Sequence, residues 1–429
     1  MKRYFYLISL VLVCFWVSYL KGAEPRKVFH VKIDAPITPV IANFISYGID
    51  LANKEKAEAF VIELDTPGGL VESTREIVKD ILQSKVPVIV YVSPSGARAA
   101  SAGTFILLSS HLAAMAPGTH VGAAHPVELT GKADKEVMNK IINDLVAWAK
   151  NLAQMRNRNE TFAEEAVRKS KSITETEALQ IGVIEIIAKD LNDLLDKAHG
   201  RQVFLGEEKR VLNLKNVRIE KIPEDLKTKV LKILTNPNLV YFLLMLGLAG
   251  LYFELSHPGS IFPGVLGAVC LILALVGLSV IPVNYAGLVF ILLAGVLFFL
   301  ELQVTSHGLL TLAGVICLFL GSIMLFGKNP PALRVSPPVL YSLVLIFSSL
   351  LAGITYIALK TIRKKPVSGK EGMVGKVGKV LKEIGPEGGK IFIEGEIWQA
   401  YADETIPEGE KVVVVEKDGL ILKVRRKDR

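Results

Sequence analysis

Ser101 is the residue whose setting most suggests chemistry. It lies within Val88 to Phe105, VIVYVSPSGARAASAGTF, where a β-branched run ends in Ser-Pro-Ser-Gly and gives way to a patch of Ala, Ser and Gly. Small residues there let a helix N-terminus approach a neighbouring strand closely, with Ser101 in the tight turn at its start. The hydroxyl then stands clear of bulky side chains, and the unpaired N–H groups of the helix start favour developing negative charge. Those are the needs of a serine nucleophile. Upstream, an apolar run from Ala59 to Leu64 ends in Asp65-Thr66-Pro67-Gly68-Gly69. Two glycines after a proline free backbone N–H groups to face a cavity, as stabilisation of an oxyanion requires. Asp65 reads as a brace for that turn rather than as a base.

The elements that must hold these loops alternate. Strand patterns over Val28–Ile33, Ala59–Leu64 and Val88–Val92 are separated by helical patterns over Pro39–Lys54 and Leu70–Ser84. Buried strands alternating with helices predict an α/β domain over residues 27–200. The pattern alone fits a Rossmann sheet and a crotonase-type spiral equally. Lys135 to Met155 predicts a long helix, and Thr174–Glu177 opens another with a capping-box pattern.

Thr66-Pro67-Gly68-Gly69 followed about thirty residues later by Ala99-Ala100-Ser101-Ala102-Gly103-Thr104 resembles the Clp-type and signal-peptide-peptidase families of serine protease. With the rest of the chain, the sequence resembles a full-length NfeD-family membrane serine protease, also called a stomatin operon partner. The resemblance implies an α/β crotonase-type (Clp-like) protease domain with Ser101 as nucleophile. It also implies an oxyanion hole made by Gly68 or Gly69 with Ala102. In that branch the base is a lysine, and the family spacing places it on Lys140, about forty residues past Ser101. A lysine base must be neutral near pH 7, which burial favours; Val137, Met138, Ile141 and Ile142 are apolar neighbours suited to burying it. The rival base is His125, about 24 residues after Ser101, where the Clp-type proteases keep their histidine. The segment from Ser170 to Thr174 lacks the aspartate that would orient such a ring. Ser93, Ser95 and Thr104 are hydroxyls that could tune the lysine. His111 and His120 read as packing or surface residues. No cofactor or metal is implied, and nothing resembles an ATP-binding loop.

The remaining residues place this domain at a membrane. Of 429 residues, 51% are hydrophobic, and the excess gathers between Leu239 and Leu359. Residues 1–23 start with Lys-Arg and carry an apolar core from Tyr4 to Leu20, a secretory signal peptide or, since Lys21 spoils the cleavage site, a signal anchor. Residues 201–236 read as a charged connector with an amphipathic turn at Leu226–Leu234. Apolar runs at about 239–256, 261–282, 286–303, 308–327 and 338–360 predict a transmembrane domain of about five helices over 237–362. Arg363-Lys364-Lys365 after the last run sets the tail in the cytoplasm and the α/β domain outside the cytoplasmic membrane. Phe253-Glu254-Leu255-Ser256-His257 is echoed by Leu300-Glu301-Leu302 with Ser306-His307, a repeat that fits helix capping or a functional site. Residues 370–429 carry five short β runs between glycine-rich turns, predicting a small all-β OB-type barrel; Gly395-Glu396-Ile397-Trp398 resembles the signature of the NfeD C-terminal domain.

The net charge of +8 is read as membrane topology rather than nucleic-acid binding. Cys14, Cys270 and Cys317 all lie in apolar runs, with neither disulfide nor zinc spacing. The family resemblance implies a stomatin- or flotillin-type membrane protein as substrate or partner, a lipid bilayer around the spans, and homo-oligomerisation. Two other functions stay open on the residues: a non-catalytic membrane scaffold recruiting such a partner, and an enoyl-CoA-type enzyme sharing the oxyanion geometry.

Overall fold

The computed structural model describes residues 26–126, 135–256, 259, 261–304, 306, 308–327, 333–362 and 370–427. The signal segment 1–23, the Arg363-Lys364-Lys365 cluster, His257 and His307 lie outside the described residues. Two compact units meet between Leu351 and Ala352; each is taken by itself.

The first unit begins β1 (Lys27–Asp34), α1 (Pro39–Lys54), β2 (Ala59–Asp65), α2 (Val71–Gln83), β3 (Val88–Val92), β4 (Arg98–Ala100), α3 (Ala102–Ser109), β5 (Leu112–Met115) and β6 (His120–Gly122). It continues with α4 (Lys135–Met155), α5 (Glu160–Arg168), β7 (Ser172–Thr174), α6 (Glu175–Gln180), β8 (Ile186–Ile187), α7 (Leu191–Ala198), β9 (Gln202–Leu205), β10 (Glu208–Val211) and β11 (Arg218–Lys221). Six strands make one sheet in the order β11-β1-β2-β3-β5-β8, and every neighbouring pair in it is parallel. Its central strand, Val-Ile-Val-Tyr-Val, is buried at all five positions, because a parallel sheet covered on both faces asks for a continuous apolar run. One face carries Ile62, Leu64, Val90 and Val92 against α1 to α6. The other carries Val61, Ile89 and Tyr91 against α7 and the β9–β10 hairpin. A second sheet, β4-β6-β7, flanks the first. The segment read as a connector thus supplies the edge strand β11, paired with β1 from Lys27↔Arg218 to His30↔Lys221. Its four residues, Arg-Ile-Glu-Lys, are too short and charged to announce a strand.

Next come α8 (Leu226–Ile233) and five apolar helices: α9 (Pro237–Ser256), α10 (Ile261–Val280), α11 (Tyr285–Gln303), α12 (Leu309–Phe326) and α13 (Pro337–Ile362). α9, α10 and α12 are long and apolar enough to cross a membrane. α9 pairs with α10, and α11 with α12, through glycines: a β-carbon at Gly250 would lie 2.6 Å from the Pro263 carbonyl oxygen, and one at Gly287 would lie 2.5 Å from the Leu325 nitrogen. Close backbone approach at small residues is how helices associate in lipid. The Tyr241 hydroxyl donates to Ser322 Oγ at 2.7 Å, joining the two hairpins. The repeat-borne Glu301 is buried and caps α12, accepting the N–H groups of Gly308 and Thr311 at 2.9 Å each and the Ser306 hydroxyl at 2.7 Å.

The second unit is a closed barrel of β12 (Val377–Lys382), β13 (Gly389–Ile393), β14 (Glu396–Tyr401), β15 (Lys411–Asp418) and β16 (Ile421–Arg426), ordered β12-β13-β14-β16-β15. A helical turn over Lys370–Met373 precedes its first strand. Val380, Ile391, Ala400, Val412 and Leu422 fill the interior, and Trp398 packs against that core with the Lys417 ammonium over its ring at 4.5 Å.

Candidate active site

Ser101 joins β4 to α3 with φ 52° and ψ −109°. A residue with a β-carbon at positive φ stores about 1–3 kcal/mol of strain and persists only where its surroundings over-determine it. Here they do. The Ser101 N–H donates to the Gly122 carbonyl at 2.9 Å, and the Ser101 carbonyl accepts the Thr104 N–H at 3.0 Å. The Thr104 hydroxyl lies 2.9 Å from the Gly122 carbonyl oxygen and 3.1 Å from that of Ala99. Thr104 therefore braces the turn, while the Ser93 hydroxyl faces Glu63 at 3.4 Å and Ser95 is exposed; none of the three reaches a lysine.

The glycine loop is sewn to β4 by Thr66, whose N–H donates to Arg98 at 2.8 Å and whose carbonyl accepts from Ala100 at 3.1 Å. Gly68 has φ 112° and presses on the serine: a β-carbon there would lie 2.7 Å from Ser101 Cβ and 3.1 Å from its Oγ. Gly69 abuts the chain between β1 and α1, where a β-carbon would lie 2.1 Å from the Ile37 carbonyl oxygen. Ile37 clamps the loop from both sides, donating to Gly68 at 2.8 Å and accepting from Leu70 at 2.9 Å. The Gly68 N–H is committed to Thr66 Oγ1 at 3.2 Å. Among the described residues, the N–H groups of Gly69 and Ala102 donate to nothing, and Ser101 Oγ has no hydrogen-bond partner. An uncommitted hydroxyl thus sits with two uncommitted backbone donors on the segments flanking it.

Two arginines hold the far end of α3, and sequence reasoning passed over both. Arg158, whose side chain is 1% exposed, donates to the carbonyls of Leu107 and Leu108 at 2.8 and 2.9 Å and pairs with Glu185 at 2.9 Å. Arg156 donates to the Ser109 carbonyl at 2.9 Å. Cations at a helix C-terminus satisfy its orphan carbonyls and oppose its dipole. The spacing Met155-Arg156-Asn157-Arg158 after a long helix was the signal available. Burial and the charges of Arg156 and Arg158 push the nearby His111 down to about 3, so it stays neutral and its Nδ1 accepts the Val88 N–H at 3.1 Å. His111 is a packing residue and His120 is exposed.

Lys140 is not joined to this arrangement. Its side chain is 75% exposed and pairs with Glu136 at 3.3 Å, where burial among apolar neighbours was expected. The reason lies in the helix. The buried residues of α4 are Leu145, Val146, Ala149, Leu152 and Ala153, all in its second half. The first turns present Val137 and Ile141 outward, at 49% and 42% exposure; only Ile142 of the four expected neighbours packs on the core. His125 lies beyond β6 with Nδ1 2.7 Å from the Val167 carbonyl oxygen, and no hydrogen bond links it to Ser101. Asp65 Oδ1 accepts the Arg98 N–H at 3.0 Å. No cluster of three or more His, Cys, Asp or Glu that could hold a metal occurs among the described residues.

Three domain profiles match the chain: NfeD1b, N-terminal domain over residues 27–203, NfeD integral membrane domain over 238–357, and NfeD-like C-terminal, partner-binding domain over 370–426. The membrane-bound protease PH1510 of Pyrococcus horikoshii is 39% identical over 98% of this chain and 97% of its own length. The chain belongs to the NfeD family. The membrane protein NfeD1b of Bacillus subtilis is 27% identical over 94% of this chain and 93% of its own. Among solved structures, a lysine-to-alanine form of the 1510-N membrane-bound stomatin-specific protease, in complex with a substrate peptide, is 41% identical. It covers 49% of this chain and 98% of its own length, with a TM-score of 0.46. This NfeD-family protein therefore comprises a protease-like N-terminal domain, an integral membrane domain and a partner-binding barrel.

Proposed function

We propose that the chain is a membrane-bound serine endopeptidase of crotonase-type (Clp-like) fold, with Ser101 as nucleophile and Lys140 as general base. The observation that carries this reading is the strained Ser101 turn, flanked by the uncommitted N–H groups of Gly69 and Ala102. The whole-length likeness to a relative named as a membrane-bound protease supports it.

In this mechanism neutral Lys140 takes the proton of Ser101 as Oγ attacks a peptide carbonyl carbon. The oxyanion forms between Gly69 and Ala102, whose N–H groups are committed to no other acceptor among the described residues. The lysinium then protonates the departing amine, and water, deprotonated by the same amine, hydrolyses the acyl-enzyme. An exposed lysine cannot begin this cycle near neutral pH, so Lys140 must be covered. The i,i+4 pair Val137 and Ile141 offers the surface: a second copy of the chain, or the substrate itself, buries that stripe and strips water from the amine.

The substrate class is a flexible, hydrophobic peptide segment added as an extended strand, by likeness that of a stomatin-type membrane protein. The protease-like domain works outside the cytoplasmic membrane, and the barrel recruits its partner from the cytoplasmic side. A second reading has its own observation. Nδ1 of His125 against the Val167 carbonyl fixes the tautomer that leaves Nε2 as acceptor, so His125 could serve as base. Mass-spectrometric digestion of hydrophobic peptides by full-length wild type, Ser101→Ala, Lys140→Ala and His125→Ala decides. Activity lost in the first two variants and kept in the third is expected. Activity kept in Lys140→Ala and lost in His125→Ala transfers the role of base to the histidine, activity kept in Ser101→Ala removes Ser101 as the nucleophile, and no cleavage by wild type removes the proteolytic reading in favour of a scaffold.

A further inference from the structure

Where the protease-like domain meets the membrane helices there is a cavity of about 520 Å³, lined by Asp34, Lys232, Ile233, Asn236, Asn238 and Arg334 among others. That size falls within the roughly 300–1,000 Å³ of small-molecule sites. Two apolar helices begin beside it. Asn238, in the first turn of α9, accepts the Ser336 N–H at 2.9 Å and its hydroxyl at 3.0 Å, tying α9 to the start of α13 and steadying the segment that carries Arg334. Asn236 Oδ1 accepts the N–H of Asn238 at 3.0 Å. With their oxygens so used, the two amide NH2 groups are donors without acceptors among the described residues.

One wall is α8. Its Leu226, Val230 and Ile233 are 78%, 42% and 60% exposed, and their i, i+4, i+7 spacing puts them on one stripe. Lys227, Lys229 and Lys232 lie between them in sequence. An apolar stripe flanked by lysines is the pattern of a helix lying in the headgroup layer, with ammonium groups reaching to the phosphates. α9 follows α8 after three residues, which fixes that depth.

We propose that this cavity binds the headgroup of one bilayer phospholipid. Its phosphate lies against Lys232 and Arg334, and its acyl chains run along Leu226, Val230 and Ile233. Guanidinium and ammonium groups with amide donors suit a phosphate diester. Lys232 also pairs with Glu224 at 2.9 Å, which holds it at the rim rather than removing its charge. Asp34 in the same cavity faces the ammonium of an ethanolamine headgroup and so selects a zwitterionic lipid. A free anion would leave the adjoining stripe uncovered; a lipid covers charge and stripe together. The wall at Asp34 leads within three residues to Ile37, the clamp on the glycine loop, so the bound lipid steadies that loop. The lipid site itself does not depend on the proteolytic reading.

The test is native mass spectrometry of the full-length protein released from vesicles of phosphatidylethanolamine, phosphatidylglycerol and a galactolipid with matched acyl chains. Wild type is expected to retain one phosphatidylethanolamine. The double variant Lys232→Gln/Arg334→Gln should lose at least nine-tenths of it, Lys232→Arg/Arg334→Lys should restore it, and Asp34→Asn should shift retention toward phosphatidylglycerol. Equal retention by wild type and the glutamine variant, equal retention of the galactolipid, or no retained lipid in wild type overturns the proposal. If the glutamine variant fails to elute as a folded species, the galactolipid comparison on wild type decides alone.

Discussion

Around Ser101 the chain is pinned by hydrogen bonds from several segments; around Lys140 the side chains of its helix stand uncovered. The serine turn is fixed by Gly122, Thr104 and the Thr66–Ala100 bridge, and its helix is held at the far end by Arg156 and Arg158. The first turns of α4 carry exposed Val137 and Ile141 and a solvent-facing Lys140–Glu136 pair. The difference follows from what each half must supply. An oxyanion hole is a matter of backbone geometry, which short-range hydrogen bonds can fix within one chain. A neutral lysine is a matter of dielectric, and burial can come from another molecule. On the proposed mechanism, one half is preassembled and the other waits for a cover.

The largest effects should come from the preassembled half. Ser101→Ala should lower peptide hydrolysis by about 10⁴-fold or more, because the nucleophile acts as a unit with its base. Gly69→Ala should cost about 10²–10³-fold, since the new methyl would meet the Ile37 carbonyl oxygen at 2.1 Å and drive the donor out of line. Cleavage rates of one hydrophobic peptide, on protein whose circular dichroism is unchanged, check both. A Gly69→Ala enzyme at wild-type rate would show that the loop is not the rigid member of the pair.

That asymmetry also explains what could be read from the sequence. Val88–Val92 and Pro39–Lys54 were placed to the residue because a buried strand and an amphipathic helix each write their period into the chain. The serine turn was legible because small residues and glycines have few other reasons to cluster so densely. Lys140 was placed by likeness, and its surroundings were misjudged. Val137, Met138, Ile141 and Ile142 look the same in sequence whether they face a core or an uncovered surface. Strand β11 was lost for a related reason: as an edge strand its face is half exposed, so Arg218–Lys221 shows no apolar run. Arg156 and Arg158 escaped because capping of α3 by residues nearly fifty positions away leaves no local pattern.

Acid probes the rigid half next. Burial beside Arg156 and Arg158 lowers His111 from 6.5 to about 3, so between those values the unfolded chain binds a proton that the native state refuses. Stability is complete above about pH 6.5 and falls as pH drops toward 3, by about 3 kcal/mol at pH 4 at roughly 1.4 kcal/mol per unit. The thermal midpoint followed by Trp148 fluorescence should fall over that window in wild type. It should fall less steeply in His111→Gln, which keeps an acceptor for the Val88 N–H and has no proton to take up. Parallel slopes for the two proteins would place the acid sensitivity elsewhere.

The uncovered half should respond in activity without responding in fold. Val137→Asp with Ile141→Asp should reduce peptide cleavage about 10–100-fold, because charges on the stripe keep Lys140 hydrated. The unfolding midpoint should move by no more than about 0.5 kcal/mol, as expected of exposed positions. Wild-type activity in this variant, at every protein concentration, would mean that Lys140 needs no cover on this face.

The smallest effect belongs to Asp65, and it distinguishes a brace from a base. Its Oδ1 accepts the Arg98 N–H at 3.0 Å, and the neighbouring Thr66 pairs with both Arg98 and Ala100. Asp65→Asn retains an acceptor oxygen and should leave stability within about 0.5 kcal/mol and the cleavage rate within a few-fold. Asp65→Ala removes the acceptor from an N–H that water can still reach, which should cost about 1 kcal/mol and loosen β4 slightly. A base would give the opposite order of importance, with the isosteric Asn as damaging to the rate as Ala. Measuring kcat and the thermal midpoint for both variants separates the cases. A rate collapse in Asp65→Asn at unchanged midpoint would move the proton-accepting group from the uncovered half of the site into the rigid one, and the contrast between the halves would have to be redrawn.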